Sequence, residues 1–168
     1  EWVGTGETKR NLNPSDTRDV VGEYANADEV QASQAIDAAN AGASILHLHA
    51  RDPKTGFPSP DPDLFMDFLP KIKAATDAVI NISTGGGMTM TVKDRIRAAT
   101  HASPEMASLN MGTMNFGLFP ALAGRSEWKH DWEPEFLESS RDFVFKNTFS
   151  DIETILADLI IEHSMTDR

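Results

Sequence analysis

Apolar positions recur at helical spacing through Val30, Ala32, Ala35, Ile36 and Ala39, which predicts a helix that Asp28 caps and Gly42 ends. Residues 44–50 then predict a strand, and residues 52–60, rich in Pro and Gly, a long loop. Asp61 opens a second helix that runs to about Thr76, with Leu64, Phe65, Phe68, Leu69 and Ile72 on its apolar stripe. A second strand is predicted over residues 78–84, a third helix from Val92 to about Thr100, and a third strand over residues 106–111. Helix and strand alternate at a spacing that specifies parallel strands joined by crossovers, so the fold class is α/β, either an open doubly wound sheet or a (β/α)8 barrel.

The two ends of the chain carry weaker patterns. Residues 1–27 are polar and turn-rich, with Gly4, Gly6, a turn cluster at residues 13–16 and one short β-type run at residues 19–24, and predict an irregular amino-terminal arm ahead of a domain over residues 28–168. After Gly117 the chain is irregular and aromatic, with Trp128, His130 and Trp132 expected as packing. A short β-type run at residues 143–145 and a last amphipathic helix over about residues 150–163 follow.

Composition narrows the function classes. A chain of 168 residues suits one domain and is too short for two. Fifteen Lys and Arg against 26 Asp and Glu give a net charge of −11, which disfavours nucleic acid and anionic membrane surfaces as partners. There is no cysteine, so disulfides, thiol nucleophiles and Cys-based zinc sites are excluded. No apolar run approaches the roughly 18 residues of a membrane span, and the amino terminus shows no signal pattern, so a cytoplasmic protein is expected. A first residue of Glu1 rather than Met suggests a processed, trimmed or partial chain.

Strand side chains alternate, so His47, His49 and Arg51 share one face of the first strand while Leu46, Leu48 and Ala50 share the other. The two imidazoles sit roughly 7 Å apart at the backbone, within reach of one metal ion; the pair serves either as metal ligands or as two ordinary strand histidines. Arg51-Asp52-Pro53 is as well explained by an ion-paired turn as by chemistry. Ser83-Thr84-Gly85-Gly86-Gly87 ends the second strand, and its small residues let backbone amides approach a carboxylate or phosphate, with the start of the next helix adding its dipole; a flexible turn explains it equally. The Lys-Ser/Thr of a P-loop is missing. Ser108 and Asn110 share a face at the end of the third strand and can hydrogen-bond a substrate oxygen. Three successive strands thus bring polar groups to their carboxyl ends, where α/β enzymes collect their sites.

Residues 47–53 (His-Leu-His-Ala-Arg-Asp-Pro), 81–86 (Asn-Ile-Ser-Thr-Gly-Gly) and 104–110 (Pro-Glu-Met-Ala-Ser-Leu-Asn), with Asn115-Phe116-Gly117, together resemble the β-keto acid cleavage enzymes, the group that includes 3-keto-5-aminohexanoate cleavage enzyme. The resemblance covers about residues 40–156. It implies a (β/α)8 TIM-type barrel, bound zinc, and a retro-Claisen-type exchange in which a β-keto acid and acetyl-CoA give acetoacetate and a new acyl-CoA. It further implies His47 and His49 as zinc ligands, with Ser83 at the substrate and Ser108 lining the site; Ser83 and Ser108 are taken as catalytic residues, and Thr84, Gly85, Gly86 and Asn110, from their own chemistry, as substrate-binding ones. In that chemistry zinc polarises the keto oxygen and stabilises the developing enolate.

The family's third zinc ligand, a glutamate, and the aspartate beside it belong to a later strand that the 168 residues do not include. Residues 1–39 resemble instead the amino-terminal segment of aldehyde dehydrogenases. A barrel takes roughly 250 residues and closes only when its last strand meets its first, so a partial barrel that self-associates as a homo-oligomer is expected. Two rival readings follow: a non-catalytic barrel remnant or hybrid chain with a weak metal site, and an aldehyde dehydrogenase-related protein. The second lacks its nucleophilic cysteine.

Overall fold

The computed structural model describes residues 8–13, 16–25 and 29–166, with side chains between residues 31 and 160. In chain order these form β1 (Thr8–Asn13), β2 (Asp16–Ala25), α1 (Glu29–Asn40), β3 (Ile45–Leu48), α2 (Pro62–Met66), α3 (Leu69–Ala75), β4 (Val79–Ile82) and α4 (Val92–Ala102). Then come β5 (Met106–Ala107), β6 (Met114–Asn115), a 3-10 turn (Phe119–Leu122), α5 (Glu133–Ser139), β7 (Val144–Phe145) and α6 (Phe149–Thr166). Among the described residues, no helix is long and apolar enough to cross a membrane.

The alternation of β3 decides the architecture. Leu46, Leu48 and Ala50 are buried while Ile45, His47 and His49 are exposed, and β4 repeats the pattern with Ile80 and Ile82 inside. The strands β3, β4 and β5 pair in that order as a parallel sheet, with His47 opposite Asn81 and Leu48 opposite Ile82. The buried face packs against Ala32 and Ala35 of α1, Phe65 of α2, Leu69 and Ile72 of α3, and Ala98 and Ala99 of α4 in one apolar cluster. All four helices therefore cover the same face. A doubly wound sheet has helices on both, so this arrangement is compatible with a piece of barrel wall. Each fully buried Ile in the cluster contributes about 1.5–3 kcal/mol relative to exposure.

Local chemistry sets the helix ends. Gly42, at φ +108°, closes α1: its N–H donates to Ala39 O at 2.9 Å and Ala43 N–H to Ala38 O at 3.0 Å, the paired bonds of a Schellman stop. Thr91 and Asp94 form a reciprocal capping box at the start of α4. The single helix expected over residues 61–76 is instead two, because Pro70 has no N–H and its ring excludes the carbonyl of Met66. The third strand is shorter than expected: only Met106 and Ala107 pair, since the carbonyls of Ser108 and Asn110 are taken by the Thr84 hydroxyl and the Asn147 amide.

The arm expected to be irregular forms an antiparallel hairpin, β1 with β2; Gly4, Gly6, Pro14, Ser15 and the Asp28 cap lie outside the described residues. The stretch after Gly117 also holds more structure than its pattern suggested. Pro134 in the first turn of α5, with Glu133 and Glu135 beside it, is a helix-start signal that the surrounding aromatics obscured. The β-type run near residue 144 pairs antiparallel with β6, Met114 opposite Phe145.

Glu105 ties the back of the sheet together. Its carboxylate accepts from Lys73 Nζ on α3 and from Ile80 N–H at 3.2 Å, and the Lys73 bond foremost holds its pKa below the ordinary glutamate value. A depressed carboxylate pKa gives stability that is complete above the unfolded value of about 4.3 and is lost as pH falls through the folded value. We expect Glu105→Gln to lose stability at neutral pH and to flatten the acid limb of a pH series of urea melts below about pH 4.3; an unchanged acid limb would show that Glu105 is not the group responsible.

Candidate functional site

The exposed face of β3 and β4 carries the two histidines. Their rings meet edge to face with centroids 4.8 Å apart. His47 Nδ1 lies 3.0 Å from the Asn81 amide oxygen, its cross-strand neighbour, so in the neutral ring Nδ1 carries the proton and Nε2 keeps its lone pair. The pKa of His49 is lowered, first by partial desolvation of its ring at the cavity wall and then by the charges of His47 and Arg51, which favours the neutral ring with a free nitrogen lone pair. Two imidazoles on one face, one oriented by an amide, fit part of a divalent-metal site. Among the described residues, no group of three or more His, Asp or Glu stands together to complete it.

The carboxyl ends of the strands open onto a cavity of about 560 Å³. His49, Ser83, Gly85, Gly86 and Asn110 line it, whereas His47, Thr84 and Ser108 do not. Thr84 is buried, and its N–H donates to Ser108 Oγ at 3.1 Å while its hydroxyl donates to the Ser108 carbonyl. These two residues therefore lock β4 to β5 behind the cavity wall. Ser83 faces the cavity, and its hydroxyl accepts from Gly85 N–H at 3.2 Å. Gly87 N–H is held only by the Met90 sulfur, at 3.1 Å, a weak acceptor that an anion would outcompete. The helix dipole adds little here: α4 begins beyond the glycines, and Asp94 already occupies its amino end through the capping box.

Arg51 and Asp52 shape the wall beside His49. Arg51 donates to Gly56 O at 2.9 Å, while Asp52 accepts from Lys54 N–H, Thr55 N–H and the Thr55 hydroxyl, so the turn rests on hydrogen bonds to its own loop rather than on an ion pair between the two. Those bonds, the Thr55 backbone foremost, lower the Asp52 pKa. Trp132 Nε1 donates to Thr55 O at 2.8 Å and packs on Phe57 and Phe136, and His130 stacks on Trp132. The aromatic residues expected as packing thus pack as cavity wall.

Arg95 and Asn147 carried no signal in the sequence pattern, since a basic residue on an amphipathic helix is ordinarily a solvated one. Arg95 is 7% exposed. Its Nη2 donates to Asn147 Oδ1 at 2.6 Å and its guanidinium lies 4.8 Å from the Phe145 ring centroid. Asn147 in turn donates through Nδ2 to Asn110 O and through its backbone N–H to Thr113 Oγ1. The Arg95 stem passes under Gly86, where an added Cβ would come within 2.6 Å of Arg95 Cγ.

A parallel α/β layout whose strand ends deliver an imidazole, a hydroxyl and a glycine loop to one cavity is one that enzymes use. The chain belongs to the beta-keto acid cleavage enzyme family, whose profile matches residues 26–165. It is 61% identical over 122 residues to a 3,5-dioxohexanoate:acetyl-CoA acetone transferase from Paraburkholderia graminis, a match covering 73% of this chain and 39% of that one. It is 44% identical over 85 residues to a 3-keto-5-aminohexanoate cleavage enzyme from Acetoanaerobium sticklandii, covering 50% of this chain and 30% of the relative. A 3-oxoadipate:acetyl-CoA acetyltransferase from Cupriavidus necator shares 35% over 91 residues, covering 54% and 30%. The chain thus spans less than two fifths of the length of each of these relatives. The family match begins inside the segment 1–39, and no aldehyde dehydrogenase stands among these relatives.

Gly86 has φ +64°, a conformation that costs a residue with a Cβ about 1–2 kcal/mol before any contact is counted. We expect Gly86→Ala to destabilise by more than that, because the Arg95 stem has to move. Chemical denaturation checks it, and a loss below about 1 kcal/mol would show that the loop relaxes freely.

Proposed function

We propose that this chain is the metal-binding portion of an enzyme that exchanges acyl groups between a β-keto acid and acetyl-CoA, giving acetoacetate and a new acyl-CoA. The observation that carries this is the pair His47 and His49 beside Ser83 and the glycine loop at the ends of adjacent parallel strands, in a chain of the β-keto acid cleavage family. His47 and His49 would hold the metal, for which zinc suits two neutral nitrogen donors, with further ligands needed beyond the pair. A divalent metal bound there supplies Lewis-acid polarisation of a keto oxygen.

The chain's own residues supply the rest. Asn81 fixes the His47 tautomer. Ser83, whose oxygen already accepts from Gly85 N–H, keeps its proton for a substrate oxygen, and the Gly87 amide, held by the Met90 sulfur, stands at the same cavity as a carboxylate rest. Asn110 reaches substrate from the third strand, and Ser108 and Thr84 act from behind by holding the two strand ends in register. The barrel reading belongs here too: β3, β4 and β5 are taken as consecutive strands of a (β/α)8 wall whose open face is completed by further strands or by a second copy of the chain. A cytoplasmic setting fits the acyl-CoA chemistry.

A specific observation favours a second reading. With only two donors gathered among the described residues, a barrel remnant with a weak metal site explains the same geometry. The two readings separate on metal content and turnover. Protein purified without chelator should carry near-stoichiometric zinc by mass spectrometry, lose it in His47→Ala or His49→Ala, and convert 3,5-dioxohexanoate or another short β-keto acid with labelled acetyl-CoA into labelled acetoacetate. Metal-free protein that turns over none of these acids sinks the enzyme reading and leaves the remnant.

A further inference from the structure

The cavity is basic in a strongly acidic chain. Its wall includes Arg51, Arg95, Arg125 and Lys129 against a single carboxylate, Glu133, whereas the chain as a whole carries 15 Lys and Arg against 26 Asp and Glu. Glu133 faces the Lys129 backbone, its carboxylate accepting from that N–H at 3.3 Å. Arg95 has Asn147 and the Lys146 carbonyl as partners, and Arg51 has the Gly56 carbonyl, so each of these guanidiniums is held by neutral groups. Opposite charge removed from a surface that has acids to spare marks where an anion binds.

The cations also divide by depth. Arg95 is buried at the inner end beside Gly86, while Arg125 and Lys129 are exposed and share one loop before α5. That loop adds an indole: the Arg125 guanidinium lies 5.1 Å from the Trp128 ring centroid, and Trp128 is half-buried. A cavity of about 560 Å³ is in the range that encloses drug-sized ligands, so a short keto acid at His49 and the glycine loop fills only the inner part. The outer part combines a flat apolar ring with two exposed cations. Those are the groups that suit a purine carrying phosphates.

We propose that the Arg125–Trp128–Lys129 loop is the docking site for the phosphorylated nucleotide end of the acyl-CoA, with the pantetheine arm running down the cavity towards His49. This rests on the acyl-CoA chemistry proposed above, and adds to it where the nucleotide binds and which residues hold it. The loop sets affinity for the thioester partner and leaves recognition of the keto acid to the inner wall.

Equilibrium binding to the 168-residue chain tests it without turnover, by titration calorimetry with free coenzyme A, pantetheine and acetoacetate as probes. Coenzyme A should bind with an affinity that falls as salt rises from about 0.1 M to about 1 M and the screening length shrinks from about 10 to about 3 Å. Arg125→Glu with Lys129→Glu should weaken coenzyme A by about tenfold or more, while Arg125→Lys with Lys129→Arg stays near the parent. Pantetheine and acetoacetate, which lack the phosphates, should be unaffected by either change. The proposal is overturned by no detectable coenzyme A binding to the parent chain, by coenzyme A binding that ignores the charge reversal, or by an equal loss for all three probes, which would report a damaged fold. Charge-dependent coenzyme A binding in a chain that cleaves no keto acid would keep this site and sink the cleavage reading; cleavage with charge-independent coenzyme A binding would do the reverse.

Discussion

The site depends on which face of β3 and β4 the helices cover. A parallel sheet offers two faces, and a one-residue slip in either strand would exchange them. Leu46, Leu48, Ile80 and Ile82 commit one face to α1 through α4, and that commitment leaves His47, His49 and Asn81 on the other. Hydrophobic burial on one side thus fixes the geometry of polar groups on the opposite side. The histidines need no interaction of their own to be held together.

Behind that sheet, side-chain hydrogen bonds replace the ladder where the strands run out. Thr84 and Ser108 lock β4 to β5 just past the last paired residues, Ile82 and Ala107. Asn147 then reaches from the start of α6 to the Asn110 carbonyl, and Arg95 reaches to Asn147 from α4. The glycine loop, the third strand end and the turn into α6 are consequently one connected unit. Burying a guanidinium among neutral partners is costly, and desolvation lowers the Arg95 pKa, with Asp151 opposing that shift. A positive charge kept beside a cavity favours an anion there.

Much of this was legible in the residues and some was not, for identifiable reasons. Strict alternation in residues 45–50 placed the two histidines on the open face, because a half-buried strand has period two and nothing else competes with it. The helix over residues 61–76 was misjudged at Pro70, where an apolar stripe continued through a residue that cannot continue a helix. Thr84 and Ser108 belong to motifs that carried the family resemblance, but each side chain bonds the other's backbone, a long-range pairing that spacing along the chain cannot express. Arg95 was invisible for the opposite reason: its burial follows from Gly86 lacking a Cβ, and only the fold brings those two together.

The open face of the sheet separates structure from activity. Ile45 is 49% exposed and Met106 40% exposed, although the opposite face of the sheet packs on the helices. In a closed barrel such positions face the interior layers of side chains, whereas in the three-stranded sheet they face outward. Among the described residues, no third His, Asp or Glu joins the histidine pair on that open face. Whatever covers Ile45 and Met106 would also stand over His47 and His49, and under the proposed function it would be placed to bring a further ligand to the pair.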